Sequence, residues 1–317
     1  MSTVLDEEQQ VDDAASIDTY EALIHRLSRQ SVDKHFDAYA DIDWDAAEMR
    51  IDPTDPRWEL VADDGLGQTE WYRNLPAEER ARIGLHRVVT AMKVGAQFES
   101  ILKRGLLDFA SRLPNRSPEF RYIYHEVIEE AQHSLMFQEF VNRSGFDPPG
   151  LSWDMVIGGR AVVQLAHWFP PLFFLFVLGG EDPIDYTQRR ELRQHAGQNH
   201  PLLERIMRIH VTEEARHLSF ARHYLRHEVP KLDPVRKNIL AVAAPLLLGE
   251  MARQMLMPAK ELAGHKVPEE ILTEADTPES RQFIKDSVAK VRRLCADLDL
   301  INPVSKRLWN LVGLWDE

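Results

Sequence analysis

Cysteine is nearly absent. Cys295 is the single one in 317 residues, so no disulfide can form within the chain. A reducing cytoplasm fits that usage. A surplus of positive charge is also missing: Lys and Arg number 38 against 51 Asp and Glu, a net charge of −13. That balance argues against nucleic acid or an anionic membrane as partner, since both call for a basic face. The opening MSTVLDEEQQ is acidic and polar and has no apolar core of a signal peptide. The longest apolar run, Phe169 to Leu178, is too short to span a bilayer and contains Pro170 and Pro171. Cys/His zinc spacing, a Gly-rich phosphate loop and an exposed-Ser elbow are missing as well. Strand-like alternation does not appear around Asp41-Ile-Asp-Trp-Asp45 or Asp52-Pro-Thr-Asp-Pro56, where turn formers dominate.

Helical periodicity is abundant instead, and hydrophobic residues make up 44% of the chain, enough for a substantial core. The expected architecture is all-α: a disordered acidic lead over 1–15, then one helical domain over 16–317. Ser16 to Ser31 reads as a short helix with Tyr20, Leu23, Ile24 and Leu27 on one side. The acidic segments after it are expected to wrap the outside of the core. Glu78 to Leu113 reads as one long helix in which Glu99 is the single carboxylate of an apolar stripe. Ser117 and Pro118 start a second helix that Gly145 ends, with Ile123, Glu126, Glu130, His133, Phe137 and Val141 on one face. Glu129 lies at the edge of that face and His125 points away, so both read as surface residues or as supports behind the site. Asp154 to Leu178 reads as an apolar helix bent at Pro170-Pro171, leading into Gly179-Gly-Glu181-Asp-Pro183. Pro201 to Pro230 frames another helix, and Pro234 to about Ala263 the next. Thr277-Pro278 opens one to about Leu298, and Ser305 to Trp315 forms a last short one.

The helix after Pro201 carries the chemistry. Its inner face runs Leu203, Ile206, His210, Glu214, His217, Ala221, Tyr224. A carboxylate on an apolar face is costly unless it is paired or bound to metal, and two imidazoles beside it point to metal. The pattern repeats. Glu129-Glu130-Ala131-Gln132-His133 matches Glu213-Glu214-Ala215-Arg216-His217, and the ligand types are 84 residues apart (214 − 130; 217 − 133). At the same offset, Glu126 stands where the second half has His210. Each Glu-x-x-His helix follows one with a buried-type carboxylate, Glu99 in the first half and Glu181 in the second. This is the donor inventory of a dimetal carboxylate bundle. Carboxylates bridge and neutralise two cations, and imidazole suits iron or manganese. Beside Glu181, Asp182 and Asp185 are alternative ligands. Gly95 and Ala96, one turn before Glu99, either leave room for small molecules or let helices approach closely.

On these residues the chain resembles the p-aminobenzoate N-oxygenase (AurF-like) family of di-iron oxygenases, within the ferritin-like superfamily. His210, four residues before Glu214, is similar to the third histidine of that family. Leu27-Ser-Arg-Gln-Ser-Val-Asp-Lys34 and Asp41-Ile-Asp-Trp44 are similar to its lead-in. The resemblance covers roughly residues 20–260. It implies a ferritin-like four-helix core and Glu99, Glu130, His133, Glu181, His210, Glu214 and His217 as metal ligands. It further implies two iron ions, with manganese as the alternative metal, and dioxygen as co-substrate. A small-molecule amine, an external electron donor and a homodimeric assembly complete the expectation. A same-fold hydroxylase or desaturase acting on carbon, or a ferroxidase bundle without organic substrate, is the alternative reading.

Overall fold

In the computed structural model, residues 19–61, 64–256 and 261–315 are described, so the expected acidic lead at 1–15 lies outside them. Among the described residues the chain forms twelve α-helices and one ribbon of two-residue strands. The architecture is an all-α bundle. The helices are α1 (Tyr20–Asp33), α2 (Glu70–Arg73), α3 (Ala77–Ala110), α4 (Pro118–Ser144), α5 (Trp153–Trp168) and α6 (Pro170–Gln194). Then come α7 (Pro201–Glu228), α8 (Pro234–Leu256), α9 (Glu269–Ala275), α10 (Pro278–Ser287), α11 (Ala289–Asp297) and α12 (Pro303–Leu311).

Two hairpins, α3 with α4 and α6 with α7, pack against each other and form the centre of the bundle. The apolar stripes anticipated for these helices are the buried faces. Leu85, Met92, Glu99 and Leu106 are buried on α3, and Ile206, His210, Glu214, His217 and Ala221 on α7. Helix α1 lies across α4 and α7 and contributes Leu23, Ile24 and Leu27 to the largest hydrophobic cluster. That cluster continues through Phe173, Phe174 and Phe220 to Leu240 of α8 and Trp309 of α12. Gly145 ends α4 in the left-handed conformation, φ 77°, which glycine adopts without steric penalty. The Ser117 hydroxyl does not cap the helix it precedes; it donates to the Glu119 carboxylate.

The segment between α1 and α3 wraps the bundle. His200, at the start of α7, uses both ring nitrogens: Nδ1 accepts from Leu202 N at 3.3 Å, and Nε2 reaches the Arg50 carbonyl at 3.2 Å. Its ring stacks on Trp58 at 4.4 Å. Closer to the site, Phe36 N donates to Glu213 at 3.0 Å and Ala38 N to Gln132 at 2.8 Å. The wrap is therefore tied to the two helices that carry the Glu-x-x-His repeat.

The stretch expected to be one bent helix is two helices. The chain turns at Phe169, φ −148°, and Pro170 and Pro171 open α6. Proline has no N–H to give and presets φ, so the first turn of a new helix accepts it without losing a hydrogen bond, which a helix interior would forfeit. Helix α6 then runs unbroken through Gly179-Gly180 and Pro183, which places Glu181 inside a helix and not in a loop. Gly180 has a packing reason: a Cβ there would fall within the Phe98 ring of α3, 2.0 Å from Cζ. The α3–α6 approach beside Glu181 depends on that missing methyl. Helix α8 is described to Leu256, and where the helix was expected to reach about Ala263 the chain at Glu261–Leu262 is already strand, with a turn at Ala263 (φ 51°) and Gly264 (φ 82°) joining the two strands. Val288 divides the expected 278–298 helix into α10 and α11. Helix α8 is long and apolar enough to cross a membrane by length and composition. In the fold it packs on α6 and α12 through Leu240, Ala241, Ala244, Leu248 and Ala252.

Candidate metal centre

Glu99, Glu130, His133, Glu181, His210, Glu214 and His217 converge between the two hairpins, each at most 3% exposed. Their donor atoms fall into three groups: Glu99 with His133 and His210, Glu130 with Glu214 and His217, and Glu181 with His210 and Glu214. Within each group the atoms lie no more than 4.8 Å apart, the span one cation can bridge. His210 and Glu214 each belong to two groups, so the three groups form one cluster. The rings of His133 and His210 are 4.7 Å apart, and His133 lies 5.9 Å from His217.

The two aspartates that competed with Glu181 each hold an arginine. Asp182 takes the Arg222 guanidinium, and Asp185 takes Arg189 Nε at 2.7 and 2.9 Å. Arg189 also donates to the Val211 carbonyl at 2.7 Å, which locks Asp185 against α7. Gly95 does not open a space. A Cβ there would sit 3.3 Å from the Phe137 ring, whose centroid is 5.3 Å from that of His210. The small residue lets α4 bring Phe137 against α3.

The repeat has a reciprocal construction. His133 Nε2 of α4 lies 2.9 Å from Glu213 Oε2 of α7, and His217 Nε2 of α7 lies 2.7 Å from Glu129 Oε2 of α4. The first glutamate of each Glu-Glu pair thus holds the histidine of the other repeat, and the second glutamate faces the cluster. Glu129 is fully enclosed, unlike the edge position its helical angle suggests, while His125 is half-buried. Arg216 donates to Glu129 at 2.8 Å and lies 3.6 Å from Glu213, so one guanidinium serves both supports. With Nε2 occupied, His133 and His217 turn Nδ1 inward. His133 Nδ1 is 3.3 Å from Glu130, and His217 Nδ1 is 2.8 Å from Glu130 and 3.2 Å from Glu214. A histidine fixed through one nitrogen by a carboxylate is the usual second layer of a metal site.

Electrostatics follow from this burial. Removal from water pushes the Glu181 carboxyl well above its usual range, and the charges of Glu214 and Glu130 add to the effect. Burial likewise pushes Glu126 up to about 7. Burial also works against the Glu129 carboxylate, but the hydrogen bond and charge of His217 with Arg216 outweigh it and hold the group at about 2. Burial disfavours charged His133 too, yet hydrogen bonds to Glu130 and Glu213 raise it to about 9. Burial lowers His210 to about 4. Lys103, one turn after Glu99 on α3, donates to the Glu130 carbonyl at 2.9 Å and is lowered by burial to about 8.

The residues fit a pair of divalent cations. Glu99 Oε2, Glu181 Oε1 and Glu214 Oε2 are buried with no hydrogen-bond partner among the described residues. Uncompensated carboxylate oxygens in a core are costly, and this cost is what metal ligation removes. Two divalent cations would balance Glu99, Glu130, Glu181 and Glu214 charge for charge. Imidazole and carboxylate without thiolate is the donor set of iron or manganese rather than of a soft metal.

The supports Glu213, Arg216 and Gln188 were not singled out from sequence. The doubled glutamate in each repeat was the available signal for Glu213; Gln188, on a different helix from its partner His210, left none.

The family model described as P-aminobenzoate N-oxygenase AurF matches residues 17–299. An uncharacterised protein of Mycobacterium tuberculosis (strain CDC 1551 / Oshkosh) is 41% identical over 302 residues, 94% of this chain and 88% of that protein. An uncharacterised protein of Mycobacterium bovis is 40% identical over the same length and coverage. No solved structure matches the chain. With the family model spanning nearly all of the helical bundle, this chain belongs to the p-aminobenzoate N-oxygenase family.

Proposed function

We propose that the chain is a di-iron oxygenase that uses dioxygen to oxygenate the nitrogen of a small amine, of the aryl amine class. The observation that carries this reading is the buried cluster of four glutamates and three histidines, in which His210 faces Glu99 and Glu214 at 3.8 and 3.7 Å. Membership of the family supports the choice of nitrogen as the target. Glu99, Glu130, His133, Glu181, His210, Glu214 and His217 would hold the metal. Bound there, two ferrous ions would supply the electrons and open coordination positions that dioxygen reduction needs.

The chain's own residues set the conditions. Glu213 and Glu129 accept from the Nε2–H groups of His133 and His217 and so keep each Nδ1 turned inward, where its lone pair would serve metal once the Nδ1 proton is displaced. Arg216 offsets part of the negative charge of these two supports. Glu126, pushed up to about 7 by burial, can hold a proton on a carboxyl one helical turn from Glu130. Phe137 and the surrounding aliphatic residues exclude water from the His133 and His210 side. An external reductant is part of the proposal, because the chain has one cysteine, itself buried, and no dithiol to supply electrons.

The test is a product assay. Iron-loaded, reduced protein is given dioxygen and a panel of aryl and alkyl amines, and products are identified by mass spectrometry. An N-oxygenated amine formed in proportion to enzyme is the expected result. Oxygenation at carbon, or oxidation of iron with every amine unchanged, contradicts the proposal.

A further inference from the structure

The three histidines of the cluster are not held alike. His133 and His217 are gripped at Nε2 by carboxylates and turn Nδ1 inward. His210 is turned the other way. Its Nε2 faces Glu99 and Glu214, and its Nδ1 lies 2.9 Å from Gln188 Oε1. The nearby carboxylate that might have served, Asp185, is occupied by Arg189. Gln188 stands two helical turns after Glu181 on α6, so the helix that delivers Glu181 to the cluster delivers Gln188 to the back of His210.

We propose that Gln188 is a positioning residue that fixes His210 in the Nδ1–H form and makes Nε2 its metal-binding atom. This rests on the dimetal reading above. An imidazole with one proton has one donor and one acceptor nitrogen. An amide oxygen at Nδ1 selects the proton there and leaves the Nε2 lone pair facing Glu99 and Glu214. The reverse amide orientation would aim an N–H at Nδ1 and force the proton onto Nε2, where it would block ligation. The choice of an amide has a second consequence. A carboxylate support draws on the imidazole proton and raises ligand basicity, whereas a neutral amide does so less. His210 is therefore the weakest-held imidazole of the three, and its bond to metal is the one most easily lengthened or released.

Histidine-selective 15N NMR of the full-length protein tests this, metal-free and with zinc as a diamagnetic stand-in for ferrous iron. A His210→Asn variant assigns the His210 signals. Expected in the zinc form are His133 and His217 protonated at Nε2 and His210 protonated at Nδ1 alone. Gln188→Leu should speed solvent exchange of the His210 Nδ1 proton and lower zinc affinity about tenfold, the effect typical of losing such a support. Gln188→Glu, which keeps an acceptor oxygen, should restore the Nδ1–H form. His210 protonated at Nε2 in the wild type, or a Gln188→Leu spectrum identical to wild type, overturns the proposal. Absence of zinc binding by the wild type overturns the dimetal reading instead; the metal-free spectrum then decides the Gln188 assignment by the same criterion.

Discussion

Replacing Glu213 by alanine removes a support that touches no metal-facing atom, so it isolates what the second layer contributes. Glu213 accepts His133 Nε2–H at 2.9 Å with one oxygen and Phe36 N–H at 3.0 Å with the other. Alanine leaves both donors without a partner, His133 Nε2–H in the closed core and Phe36 N–H in a part-buried position that water can reach. A buried orphaned donor costs about 1–3 kcal/mol, so the expected loss is about 1–3 kcal/mol from His133, with a smaller addition from Phe36. Glu213→Gln, which retains one acceptor oxygen, should lose about half as much. Glu129→Ala should be at least as severe, because it strands His217 and the 2.8 Å Arg216 contact together. Breaking a buried ion pair from one side costs about 3–5 kcal/mol. Metal affinity should fall as well, by about 10–100-fold, since His133 or His217 is then free to rotate. Equilibrium urea unfolding of the metal-free proteins gives the stabilities, and competition with a chelator gives the affinities. If Glu213→Ala and Glu129→Ala both stay within about 0.5 kcal/mol of wild type, the range of an ordinary surface substitution, the reciprocal supports are not what holds the histidines.

Other outcomes follow from the same structure. Glu181→Ala should lose bound metal, whereas Asp182→Ala and Asp185→Ala should keep it and lose stability through stranded Arg222 and Arg189; metal analysis beside urea melts separates the two, and metal loss in Asp185→Ala alone refutes the assignment. Metal should stabilise the fold: at a free concentration 100 times the dissociation constant the gain is about 2.7 kcal/mol, and equal melting temperatures with and without chelator refute a buried site. The metal-free protein should weaken in alkali. His133 is raised to about 9 in the fold despite its burial, so its contribution is complete below the unfolded value of about 6.5 and is lost as pH rises through about 9. Urea midpoints of chelated protein at pH 6.5 and 9.5 measure this, and a midpoint that rises across that interval contradicts the sign.

Much of the bundle and of the cluster was legible in the sequence, and the reasons are physical. Helices α3, α4 and α7 place carboxylates and imidazoles inside apolar stripes at helical spacing, and such a stripe must be buried wherever the helix docks. Pro118 and Gly145 mark the ends of α4 by backbone chemistry alone. Helix α6 was harder. Gly179, Gly180 and Pro183 are the residues of a loop by local propensity, and tertiary packing overrides it: Gly180 is small because Phe98 of α3 lies against it. That is why Glu181 competed on paper with Asp182 and Asp185, whose arginine partners come from a different helix or a later turn. The supports were least visible. The Glu213–His133 and Glu129–His217 contacts join residues 80 and 88 positions apart; the doubled glutamates repeat in the chain, but nothing periodic in it names their partners.

Elemental analysis reads out a two-metal centre built from both repeats. Full-length protein is loaded with ferrous iron in the absence of oxygen, freed of excess metal and analysed for iron against protein concentration. Two iron ions per chain are expected. A stoichiometry of one, or no retained metal, contradicts a two-metal centre.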